Sequence, residues 1–136
     1  MHDELKYQEF DGEEDWVGVA EPSANPIREK SFSFALVVIN LYKRLQADHE
    51  YVIAKQLLRS GTSIGANVEE ATAAESRRDF IHKMALASKE ARESMYWLRL
   101  LSKSDLVPGL DLSIELASAH ELVRMLTSIV KSASKS

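Results

Sequence analysis

YVIAKQLLRSGTSIGANVEEATAAESRRDFIHKMALASKEARESMYWLRLL, running from Tyr51 to Leu101, is the stretch that decides the fold. Phe80, Met84, Ala87, Ala91, Ser94, Leu98 and Leu101 recur at alternating spacings of four and three. At about 100° per residue such positions stay on one side of a helix. Ile53, Leu57, Ser60, Ile64, Val68 and Ala71 share a face in the same way, with Asn67 at its edge. Beside that face runs a row of small residues, Ala54, Gly61 and Gly65. Glycine in a helix interior costs about 0.8–1.0 kcal/mol relative to alanine, so two of them call for a reason. Their spacing clears a strip along which a neighbouring backbone can approach. In membrane helices that spacing marks a dimerisation face, but Arg59 and the Glu69–Glu70 pair exclude a spanning segment. The glycines therefore predict close packing between helices of a bundle. A phosphate-binding glycine loop would need the Gly-Lys-Ser/Thr ending, which is absent.

The flanking pattern extends the same architecture. Phe32, Leu36, Ile39 and Tyr42 or Lys43 predict one face of a first helix from about Ser31 to Ala47, widened by Phe34, Val38, Leu41 and Leu45. Asp48 is placed to cap a second helix reaching from about Glu50 to Ala74, and Ser76 to cap a third, with Asp79 in its first turn. Leu106-Val107-Pro108-Gly109 ends the third helix. Asp111 is placed to cap the fourth, with a face of Leu112, Leu116, Ala119, Val123, Leu126 and Val130 and a fraying tail from Ser132. Four helices, short joints and no strand pattern predict an all-α, antiparallel up-down-up-down four-helix bundle.

Charge divides the chain. Residues 1–27 carry eight acids against the single base Lys6, a net of −7, whereas residues 28–136 carry sixteen bases and thirteen acids, a net of +3. The first segment also holds Pro22 and Pro26 and shows no helical period. It is expected to be a flexible acidic arm ahead of a bundle spanning 28–136, with docking through Tyr7, Phe10, Trp16 and Val17 as the alternative. The 136 residues and 45% apolar content suit one globular domain. With no cysteine, a disulfide framework, thiol catalysis and cysteine-ligated zinc are excluded. No signal peptide and no membrane-length apolar run are read, so a soluble, cytoplasmic protein is expected.

Gln56–Ala71 followed by Ser76–Leu101 resembles the bacterial four-helix-bundle family encoded in 23S ribosomal RNA intervening sequences, most specifically over Ser60–Ala71 and Lys89–Leu101. The accessory protein of diversity-generating retroelements looks like a relative. The resemblance implies a homo-oligomeric ring, with a pentamer favoured, and no catalytic activity. The retroelement relatives imply RNA or DNA and a reverse-transcriptase-like protein as partners.

Catalytic constellations fail on their own terms. A di-metal carboxylate centre needs inward carboxylates on all four helices and two Glu-x-x-His pairs; only Asp79-x-x-His82 approaches that spacing, off the apolar stripe. His49, His82 and His120 are expected at the surface. No nucleophile elbow is read, and no His and acid are placed to activate a serine. No metal and no cofactor are expected. Ser60, Gly61, Ser63, Gly65 and Asn67, with Thr62, are expected to form a hydrogen-bonded, closely packed register device rather than a ligand site.

The outer side of the third helix carries more. Arg78, His82, Lys89, Arg92, Tyr96, Arg99 and Lys103 fall within about 100° of arc, opposite the core face. A basic strip with an aromatic in it is what a nucleic-acid backbone would meet; the competing reading is solvated surface, with Lys89 paired to Glu93. Leu86, Trp97 and Leu100 share a second arc and are the candidate subunit interface. Function is thus expected to be that of a non-catalytic oligomeric scaffold or adaptor for nucleic acid or a protein partner. The alternative is a self-assembling ring with a small-ligand pore or core site and no nucleic-acid role.

Overall fold

A computed structural model describes residues 25–135. Among them lie four helices and no strand: α1 (Pro26–Ala47), α2 (Val52–Thr72), α3 (Arg77–Lys103) and α4 (Ser113–Ser134). They form a bundle in which α2 packs on α3, α3 on α4 and α1 on α2, and the looser α1–α4 seam closes the circuit.

α1 begins five residues before Ser31, where the sequence reading placed its start. Asn25 is the cap: its Oδ1 accepts from the Ile27 N–H at 3.2 Å, and Pro26 occupies the first turn, where its missing N–H costs nothing. Asn-Pro, read as the end of an arm, is a helix start. Residues 1–24 of the expected arm lie outside the described residues.

The face of α1 also differs from expectation. Ile27, Ser31, Phe34, Val38, Leu41 and Leu45 are buried, while Phe32, Leu36 and Ile39 are exposed. Gly61 explains the choice. A Cβ built on it would meet the two methyls of Val38 at 2.8 and 2.9 Å, so α1 approaches α2 through Val38 and turns the other stripe outward. Gly65 is less crowded, its built Cβ lying 3.4 Å from the Ser31 carbonyl oxygen.

α2 buries Ala54, Leu57, Ser60, Gly61, Ile64, Val68 and Ala71, the expected face except that Ile53 is only partly buried. Its cap is Glu50 rather than Asp48. Glu50 Oε2 accepts from the N–H groups of Ile53 (2.7 Å) and Ala54 (3.4 Å). Asp48 closes α1 instead, with Arg44 at 3.9 Å. α3 buries every residue of its expected stripe, and Ser76 caps it by accepting from the Asp79 N–H at 3.0 Å. Phe80 is the largest fully buried side chain among the described residues; complete burial of such a ring stabilises by about 1.5–3 kcal/mol.

α4 is rotated relative to expectation. Ala119, Leu122, Leu126, Ile129 and Ala133 are buried, and Leu116, Val123 and Val130 sit partly buried at the edge. Leu112 is buried and occupies the cap position; Asp111, one residue earlier, accepts from the Ser113 N–H at 3.0 Å. The helix runs on to Ser134 because burial of Ala133 holds the tail that was expected to fray.

Candidate functional site: the outer face of α3

Burial of the Phe80–Leu101 stripe leaves the opposite side of α3 in solvent. Arg78, His82, Lys89, Arg92, Tyr96, Arg99 and Lys103 are all exposed there, so the fold brings the expected basic strip together on one helix face. Arg92 Nη1 donates to Ser88 Oγ at 2.8 Å, which steadies that guanidinium along its own helix. Tyr96 is 52% exposed and meets Trp97 edge-on, with centroids 5.1 Å apart.

Glu93 does not pair with Lys89 as expected. It reaches across to α2, where Arg59 Nη2 donates to Glu93 Oε2 and Arg59 Nη1 donates to Glu90 Oε1 at 3.1 Å. Trp97 Nε1 donates to the same Glu93 oxygen at 3.0 Å. The hydrogen bond from Arg59 holds the Glu93 carboxyl below its usual range against the opposing desolvation, and Trp97 and the charge of Lys89 add to it. An i,i+4 pair gives only a few tenths of a kcal/mol, so a guanidinium from a neighbouring helix wins the carboxylate. Among the described residues no carboxylate lies within ion-pair distance of Arg78, Lys89, Arg92, Arg99 or Lys103. Arg28, Lys30 and Arg44, by contrast, each engage one, and Arg59 engages two.

The other nominated residues fall elsewhere. Leu86, Trp97 and Leu100 are half-buried at the flank of α3, and Trp97 packs against the core while its N–H is engaged by Glu93. Ser60 and Ser94 are fully buried, their hydroxyls 2.8 Å apart across the α2–α3 seam. Thr62, Ser63 and Asn67 bond instead to carbonyls of their own helix, those of Leu58, Arg59 and Ser63 respectively. A serine hydroxyl in a helix commonly back-bonds in this way, so of this polar cluster Ser60 alone reaches a neighbouring helix.

Gly61-Thr62-Ser63-Ile64-Gly65 does carry the G-x-S-x-G spacing of a nucleophile elbow, against the expectation of none. The elbow, however, is a strand-to-helix turn. Here the segment is interior to α2 and Ser63 Oγ donates to the Arg59 carbonyl at 2.6 Å. Among the described residues no group of three His, Asp or Glu side chains is placed to hold a metal ion. Nor is any helix there long and apolar enough to cross a membrane. A shallow groove of about 210 Å³ lies between α1 and α4, lined by Lys30, Phe34, Val37, Glu121 and Leu122.

Sequence reasoning missed the exposed row Phe32, Leu36 and Ile39, having assigned it to the core. The signal was the width of the apolar arc of α1: two stripes compete, and only the second lies opposite Gly61.

The model of a family described as 23S rRNA-intervening sequence protein matches residues 24–128. The crystal structure of a protein of unknown function from the S23 ribosomal protein family of Bacteroides thetaiotaomicron is similar, with a TM-score of 0.73 and 44% sequence identity over 78% of this chain and 96% of that chain. No curated protein matches the chain.

Proposed function

The chain belongs to the 23S rRNA-intervening sequence protein family, and from that premise we propose that it is a non-catalytic, homo-oligomeric scaffold that binds nucleic acid along α3. One observation carries the reading. The cations of the α3 outer face have no carboxylate partners among the described residues, whereas arginines at the helix seams are engaged by Glu69, Glu90 and Glu93. Unpaired cations beside an exposed aromatic suit a phosphate backbone with bases to stack. The polar chemistry elsewhere is committed to packing, as Ser63 and Ser60 illustrate, which supports a binding rather than a catalytic role.

Short joints between consecutive helices support an antiparallel arrangement. So do the paired positions Arg28–Glu69 and Val38–Gly61, which run in opposite senses along α1 and α2. Oligomer formation follows from the resemblance, with five subunits favoured, and a cytoplasmic setting from the absence of cysteine. Repetition of one weak strip per subunit raises avidity without new contacts.

The test is binding of labelled RNA by the full chain at two salt concentrations, against an Arg92→Glu/Arg99→Glu variant. Phosphate contacts release counterions, so affinity falls with salt. The double variant is expected to bind more weakly and to flatten the slope of log affinity against log salt by about two. Equal binding by parent and variant overturns the assignment of the strip.

A further inference from the structure

Phe32, Leu36 and Ile39 are 63%, 50% and 37% exposed on the outer side of α1. With Glu29 and Lys43 they fall within about 80° of arc at 100° per residue, so acid, apolar row and base form one stripe. The order within the stripe is self-complementary. Glu29 stands two helical turns before Leu36 and Lys43 two turns after it, each about 10 Å along the axis. Both are exposed, and neither has an ion-pair partner among the described residues.

We propose that this stripe seats a second copy of the same helix, packed antiparallel across a twofold axis at Leu36. In that arrangement Leu36 meets Leu36, Phe32 of each copy meets Ile39 of the other, and each Glu29 meets the other copy's Lys43. A parallel pairing would set Glu29 on Glu29 and Lys43 on Lys43, which like-charge repulsion disfavours. The three apolar side chains present on the order of 300 Å² per copy, taking a large side chain at about 200 Å². A stable interface buries about 800 Å² per partner, with an apolar centre and a polar, charged rim. The row has the size of such a centre, and Glu29 and Lys43 are placed as its rim. The inference rests on the homo-oligomeric reading above and gives it a surface. It also moves that surface from the α3 flank, where Trp97 is half-buried and its N–H engaged, to α1. A twofold contact differs from the head-to-tail contact that closes a ring, and the two together set rings in pairs.

The chain has no cysteine, so Leu36→Cys provides a clean reporter. Under a mild oxidant the full-length variant is expected to cross-link into a dimer, while Ile114→Cys, on a residue 75% exposed at the start of α4, does not. Light scattering on the otherwise unaltered chain reads the charges. Glu29→Lys or Lys43→Glu alone is expected to weaken self-association at least tenfold, and the Glu29→Lys/Lys43→Glu exchange to restore most of it. Absence of the cross-link, or an exchange no better than its single variants, overturns the contact. Residues 1–24 are the competing occupant. In a Trp97→Phe background Trp16 is the sole tryptophan; if Leu36→Glu then shifts its emission and leaves the mass unchanged, the arm covers the row and the proposal fails. A parent that is monomeric at micromolar concentration sinks the oligomeric reading as well. An oligomeric parent indifferent to these variants sinks the contact alone.

Discussion

The α2–α3 seam and the α1–α4 seam each carry an ion pair over an apolar interior, and they are fastened differently. Across the first, Ser60 meets Ser94 at 2.8 Å and Arg59 spans Glu90 and Glu93. Just beside it on α2, Gly61 admits Val38 of α1 so closely that a methyl group would collide. Across the second, Lys30 and Glu121 make an ion pair at 3.3 Å, both about half exposed, over a shallow groove. Small residues fix how near and in what register two helices can come. Large apolar residues alone leave several arrangements of similar energy, and α1 and α4 are rich in them. The difference is one of specification rather than of hydrophobicity.

The largest effect that tests this contrast comes from filling the tight side. Gly61→Leu is expected to lose roughly 1–3 kcal/mol through overpacking against Val38, outweighing the gain in helix propensity of up to about 1 kcal/mol. Gly65→Ala, whose added carbon has ordinary contact with Ser31, should be neutral or slightly stabilising. Denaturant unfolding of the two variants measures both; equal midpoints would erase the distinction between the glycines.

Next in size is the hydroxyl pair. Ser94→Ala leaves the Ser60 hydroxyl with only its 3.4 Å contact to the Leu57 carbonyl, at an expected cost of about 0.5–1.5 kcal/mol. Ser60→Ala/Ser94→Ala removes both groups and should cost less than the two single losses added together. A strictly additive double-mutant cycle would show that the pair does not couple the helices.

Smallest is the ion network. Because the folded state holds Glu93 below the ordinary value of 4.5, its contribution is present above that pH and fades as pH falls through the folded value. With Arg59 half exposed, solvent screening keeps the gain below about 1 kcal/mol. Glu93→Gln is expected to flatten stability against pH on the acid side of 4.5, while leaving the seam folded near neutrality. A variant whose acid profile overlays the parent would remove the network from the account of this seam.

The same contrast governs what could be read in advance. Every residue of the stripe expected on α3 is buried, with Ser88 the one unforeseen addition, because the apolar positions of this helix form one stripe and its polar positions fill the rest. α2 was legible because Gly61 and Gly65 announce a close neighbour. α1 was misread because Phe32-Leu36-Ile39 and Phe34-Val38-Leu41-Leu45 are equally good stripes, and the choice is made by Gly61 on another helix. α4 slipped by a residue for a related reason. Leu122-Val123 and Ile129-Val130 are apolar doublets, and periodicity cannot say which member of each faces in. The basic strip on α3 was legible as a strip. That Glu93 belongs to Arg59 and leaves Lys89 unpaired required the third dimension, since the local i,i+4 rule favoured the wrong partner.

The circuit of seams has a kinetic side. The well-packed seams join helices adjacent in the chain, through connections such as the turn around His49 and the loop containing Pro108. Local contacts of this kind are reached early in a folding search, because little loop entropy is given up to form them. The α1–α4 seam bridges the greatest sequence separation and carries the slightest packing. It is therefore the step at which the closed topology is sealed, and the first to come apart when the native state breathes. Opening there frees the edges of α1 and α4 while α2 and α3 keep their register, so the bundle unzips along the side that holds the Lys30–Glu121 pair and the groove beside it.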